Sequence, residues 1–138
     1  MKKFVKIMVV VIFGLIAMVA CLGGESIPED VEYKSMDIST MYEELDTNAF
    51  NAEEKYNDAY IKIKGRISNI DSDGGYISIE DVDASEWDLF ETVMCDFLND
   101  EQREVLKTKS AGDIVTIEGQ VYSVGEGLGY SMSIHTIK

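Results

Sequence analysis

Basic residues are scarce in this chain: 12 Lys and Arg stand against 26 Asp and Glu in 138 residues, a formal charge of −14. A surface so acidic repels phosphate backbones and anionic headgroups, whereas nucleic-acid binders carry a basic patch or stripe. No nucleic-acid partner is therefore expected, and neutral or basic partners are favoured. Cysteine is rarer still. Cys21 ends an apolar N-terminal run and Cys95 lies in strand-like sequence far downstream, so no disulfide framework is available. Histidine occurs once, as His135, on the strand face opposite Tyr130, Met132 and Ile134. With no serine or cysteine nucleophile motif beside it, it reads as an ordinary surface histidine. Absent too is an apolar run long enough to span a membrane. Residues 7–20 form an uncharged run of 14, and a helix rising 1.5 Å per residue needs about 20 to cross the hydrocarbon core.

What the N-terminus does have is the layout of a signal peptide. Lys2, Lys3 and Lys6 form a positive region, followed by the apolar run ending in small residues. Met18-Val19-Ala20-Cys21 resembles the lipobox of bacterial lipoproteins, with Met18 where leucine is usual. That resemblance implies cleavage before Cys21, which becomes the new N-terminus and carries a diacylglyceryl thioether and usually an N-acyl chain. Two or three acyl chains anchor stably where one does not, because each buried methylene contributes about 0.8 kcal/mol. An ordinary signal peptide cut nearby is the alternative. Removal of residues 1–20 takes three lysines and no acid, moving the formal charge from −14 to −17.

The rest suits one domain, since domains commonly run to about 100–150 residues. Residues 21–36, with Gly23-Gly24 and Pro28, read as a lipidated tether, and 37–138 as the folded domain. Ile38, Met41, Leu45, Ala49, Ala52 and Tyr56 recur at helical steps, with Asn48 able to break the helix and Asp37 or Ser39 able to cap it. The period then becomes two. Strands are expected at residues 60–70, 76–80, 92–97, 114–124 and 130–137, with a helix after Asn99, whose pairing with Gln102 is a capping-box variant. Trp87, Leu89 and Phe90 are expected to fasten the acidic loop 81–91 to the body.

Two strands share one grammar. Ile61-x-Ile63-x-Gly65-x-Ile67-x-x-Ile70 recurs as Val115-x-Ile117-x-Gly119-x-Val121-x-x-Val124. A mid-strand glycine lets a sheet bend sharply and the later phase slip marks a bulge, which is how a small sheet closes into a barrel. Five strands with a helix between the third and fourth predict a mainly β protein with a five-stranded OB-fold Greek-key barrel. A two-layer α+β sheet is the alternative.

Asn48, Ala52, Lys55 and Tyr56, then Ile63-x-Gly65-x-Ile67, Val93-x-Cys95-x-Phe97 and Gly112-Asp113-x-Val115-x-Ile117-x-Gly119, resemble the bacterial tRNA_anti-like OB-fold proteins over about residues 38–138. Many of that group are lipoproteins of unassigned function. The resemblance implies an OB fold and does not establish RNA binding.

Candidate chemistry is thin. Cys95 shares an apolar strand face with Val93 and Phe97 and reads as a buried thiol. Asp71-Ser72-Asp73-Gly74-Gly75, with Glu80, Asp81 and Asp83, offers oxygen ligands for calcium but lacks the calcium-loop pattern, and a hairpin turn is favoured. No motif singles out two carboxylates as acid and base. Tyr76 and Met94 project from the second and third strands opposite the core, where OB-folds bind oligonucleotides, oligosaccharides or peptides. The expected function is a membrane-anchored, non-enzymatic binding module without cofactor or metal, holding a protein, peptide or glycan. Nucleic-acid binding and an envelope hydrolase are the alternatives.

Overall fold

A computed structural model describes residues 27–88 and 90–138. The expected signal peptide and Cys21 lie outside the described residues. The chain divides after Asp30, and Val31–Lys138 forms a unit of its own. Its elements are β1 (Lys34–Ser35), α1 (Ile38–Thr47), α2 (Ala49–Tyr56), β2 (Tyr60–Ile70), β3 (Tyr76–Glu80), β4 (Thr92–Asp96), α3 (Asp100–Glu104) running into a 3-10 turn (Val105–Thr108), β5 (Ile114–Gly125) and β6 (Gly129–Ile137).

Alternation in β2 turns Ile61, Ile63, Gly65 and Ile67 inward and leaves Lys62 and Lys64 exposed. β5 does the same with Val115, Ile117, Gly119 and Val121. The two matched motifs pair antiparallel with each other: Ile63 lies opposite Ile117, Ile61 opposite Gly119 and Gly65 opposite Val115. A local near-twofold thus relates the repeated sequence across one ladder. The phase slip at Ile70 is a bulge, since Ile67 pairs with Ile79 and Asn69 with Ser78. β5 carries register shifts at Glu118/Gly119 and Val121/Ser123. Both inward glycines mark close backbone approach: a Cβ on Gly65 would stand 2.5 Å from the Glu80 carbonyl oxygen, and one on Gly119 would collide with that of Ser133.

β2 therefore pairs with β5 along its first half and β3 along its second. With the order β3-β4-β6-β5 completing the ring, and β4 parallel to β6, the sheet closes as a five-stranded barrel with OB-fold connectivity. Closure excludes the open two-layer alternative.

α1 buries Ile38, Met41, Tyr42 and Leu45, one stripe at three- and four-residue steps. Asn48 ends it and caps α2, its side chain accepting from the Asn51 N–H at 3.1 Å. At the start of α1, Asp37 makes no capping bond. The backbone N–H of Ser39 instead donates to Asp81 at 3.2 Å, so a carboxylate from the β3–β4 loop caps the helix. Burial would raise Asp81's pKa, but the N–H groups of Asp83 and Ser39 hold it below its ordinary value. Tyr130 packs edge to face with Tyr42 and Tyr56, at centroid distances of 5.5 and 5.4 Å, joining both helices to the barrel. Near α3, Asn99 accepts from the Gln102 N–H, and the Gln102 side-chain amide reaches the Ile134 carbonyl.

Two expectations need correction. Ordered pairing begins before Asp37, because β1 adds parallel to β2 at Ile61 and Lys62, where β3 does not reach. His135 is not on the surface but is 7% exposed. It does point away from the barrel interior, yet Tyr33 and Tyr60 cover it, and the Tyr33 hydroxyl lies 2.7 Å from its Nδ1.

Candidate functional site

Strand alternation decides what the outer face of β3, β4 and β6 shows. Pairing places Tyr76 opposite Asp96, Ser78 opposite Met94 and Glu80 opposite Thr92, then Met94 beside Ser131 and Asp96 beside Ser133. Tyr76 and Met94 thus stand as diagonal neighbours on one face, Tyr76 half-buried and Met94 exposed. None of these face residues is Lys or Arg. β5 adds a group missed in the sequence: the exposed Tyr122 donates its hydroxyl to Asp96. Burial and the Asp96 carboxylate push the Tyr122 phenol up to about 12, so it remains a donor at neutral pH. Tyr76, Met94 and Tyr122 therefore surround an acidic acceptor with apolar and aromatic surface.

The basic strip of β2 adjoins this face through Arg66, the cross-strand partner of Glu80. Arg66 is tied down, donating to the Val82 carbonyl at 2.6 Å and to the Glu80 carboxylate at 3.4 Å, and Lys62 stands at the register position across from Glu118 on β5.

A second concave feature of about 360 Å3 lies between the β3–β4 loop, the β5–β6 hairpin and α1. Trp87 and Phe90 line it without packing onto the body, being 92% and 90% exposed, contrary to the expectation that they fasten the loop. The loop is held by polar bonds instead. Asp88 accepts from the Ser85 N–H and hydroxyl, and backbone bonds close Ser85–Asp88 and Asp88–Glu91. Leu89 lies outside the described residues. A hollow of about 380 Å3 also follows the α1–α2 junction. Its Glu44 is engaged by Lys55 and Tyr56, which hold its pKa below the ordinary value.

The reactive residue types are placed as structural groups. Cys95 is fully buried and burial, aided by Asp96, pushes its thiol up, away from the nucleophilic thiolate. Burial lowers the pKa of His135, and its hydrogen-bond partner is Tyr33. The Asp71 carboxylate accepts from the Gly75 N–H at 3.0 Å and closes the β2–β3 turn, with Gly74 at φ 70°. Among the described residues no three His, Cys, Asp or Glu side chains converge to hold a metal ion, and no helix is long and apolar enough to cross a membrane.

The fold has solved relatives. A lipoprotein from Klebsiella pneumoniae subsp. pneumoniae, described as a candidate nucleic acid-binding protein, aligns with a TM-score of 0.60 and 16% identity over 81% of this chain and 98% of that one. OBody AM3L09, solved bound to hen egg-white lysozyme, aligns with a TM-score of 0.52 and 13% identity over 80% of this chain and 94% of its own. Replication protein A from U. maydis, solved bound to single-stranded DNA, gives a TM-score of 0.47 and 13% identity over 80% and 74%. No curated protein matches the chain. The profile of the tRNA_anti-like family matches residues 1–128, and the chain, an OB-fold barrel throughout its described domain, belongs to that family.

Proposed function

We propose that this chain is an exported lipoprotein carrying lipid on Cys21, and that its OB domain is a non-catalytic module holding a protein, peptide or glycan on the outer face of β3, β4 and β6. The observation that carries the reading is the composition of that face. Tyr76, Met94 and Tyr122 offer apolar and stacking surface around Asp96; none of the paired positions of β3, β4 and β6 is Lys or Arg, and Arg66 at the edge is taken up by Glu80 and the Val82 carbonyl. Stacking suits sugar rings and peptide side chains, while an uncompensated carboxylate disfavours phosphate. The buried states of Cys95 and His135 argue against hydrolysis. A fold relative described as a lipoprotein supports the address, and another solved on a protein surface supports protein as ligand.

Two measurements test this. Cys21→Ser should abolish labelling with a fatty-acid analogue and release the protein from membranes; a variant that still labels and stays bound contradicts the anchor. The description of the Klebsiella relative favours a second reading, in which the domain binds nucleic acid. Fluorescence anisotropy of the full chain in detergent, with labelled single-stranded RNA and DNA at low salt, separates the two because electrostatic binding is strongest there. No saturable binding at micromolar protein is expected; saturable, salt-sensitive binding would put the second reading first.

A further inference from the structure

The cleft between the β3–β4 loop and the β5–β6 hairpin lies apart from the barrel face, and its lining is unusual for an acidic surface. Trp87, Phe90 and Leu128 are 92%, 90% and 88% exposed, and all three line this one hollow. Scattered exposed apolar residues need no explanation, but three large ones from two loops around a common cleft mark a contact surface. Both walls are fixed by Tyr42 of α1. Its hydroxyl donates to the Thr92 carbonyl at 2.6 Å, at the base of one loop, and packs against Gly129, at the base of the other. Gly129 has φ 70°, and any Cβ there would collide with the Tyr42 hydroxyl, so the cleft is built around that contact.

The charge of the lining is of one sign. Asp46, Asp88, Glu91 and Glu126 contribute carboxylates, and none of the lining residues is Lys, Arg or His. Burial first, and then the neighbouring Asp88, Asp46, Glu43 and Asp81, raise the pKa of Glu91.

We propose that this cleft docks an extended segment of a partner protein that alternates Arg or Lys with aliphatic residues. A guanidinium or ammonium stacks over Trp87 and meets the carboxylates, while the apolar positions cover Phe90 and Leu128. The volume stands near the lower end of ligand sites, about 300–1,000 Å3, and so suits one or two long side chains. An anionic membrane surface has the wrong sign for these four carboxylates, although Trp, Phe and Leu would suit its interface. This site is distinct from the barrel face, so its failure leaves the proposed function standing.

Trp87 is the single tryptophan of the chain and reports on the cleft directly. The full chain in zwitterionic detergent is titrated with an eight-residue peptide alternating Arg and Leu, and with its Glu and Leu counterpart. Trp87 emission should change saturably with the first, weaken at high salt, and not respond to the second. By anisotropy of the labelled peptide, Phe90→Ala with Leu128→Ala, and separately Asp46→Asn with Glu91→Gln, should each weaken binding tenfold or more. Phe50→Ala, an exposed aromatic of α2 outside the cleft lining, should leave it unchanged. Equal response to the acidic peptide, or undiminished binding by either cleft variant, would overturn the proposal. So would a blue shift of Trp87 on reconstitution into phosphatidylglycerol vesicles without response to peptide, or a shift that follows protein concentration alone, which would mean a second copy.

Discussion

Gly65 and Gly119 hold matching places in the repeated strand motif, and each faces backbone that leaves no room for a side chain. Valine at either position must displace that backbone, and overpacking of this kind costs about 1–3 kcal/mol. For a domain of about 100 residues each kcal/mol moves the melting temperature by about 4–8 °C. Gly65→Val and Gly119→Val should each lower it by several degrees in thermal unfolding followed by circular dichroism, with Gly119→Val the worse because its approach is closer. Wild-type melting in both would contradict closure at these bends. His135 carries a pH prediction. Burial lowers its folded pKa from 6.5, so the folded protein holds it neutral while the unfolded chain takes a proton. Its contribution is complete above about pH 6.5 and is lost as pH falls from there through the folded pKa. Tyr33 and Tyr60 are the groups against it, with Glu118 beyond Tyr33. Urea midpoints at pH 7.5, 6.5 and 5.5 should fall further in wild type than in His135→Gln; carboxylate titrations are common to both and cancel. Parallel lines would show that His135 titrates alike in both states.

At the scale of elements, what could be read in the sequence was whatever depends on local period. Alternation placed β2 and β5, the slip at Ile70 gave the bulge, and Asn48 gave the break between α1 and α2. Contacts that join distant segments left no such trace. β1 is two residues whose side chains are exposed, so its pairing with β2 has no hydrophobic signature. The Tyr33 contact that buries His135 spans 102 positions. Trp87 and Phe90 were expected to pack because large apolar residues usually do, and the loop's own turns hold them outward. Tyr122 points outward by simple alternation from Val121, yet its meeting with Asp96 depends on β6 lying between β4 and β5. Tyr76 and Met94 were legible because one hairpin-like pairing relates them.

For the whole molecule, charge and the proposed address would act together. Cleavage before Cys21 would leave a formal charge of −17 with nine Lys and Arg, a field that repels polyanions over the Debye length of about 8–10 Å at physiological salt. A lipid on Cys21 would hold the barrel near a membrane whose anionic headgroups it also repels, leaving the β3–β4–β6 face free for proteins or glycans. Photocrosslinking in living cells tests this most directly. A photoreactive phenylalanine analogue replaces Met94 in the full chain, and a second variant carries it at the exposed Lys64 of β2 as a control. An adduct is expected from position 94 that survives nuclease, shifts on protease or glycosidase treatment, and is absent from position 64. An adduct at 94 destroyed by nuclease, or adducts from 64 alone, would contradict this reading.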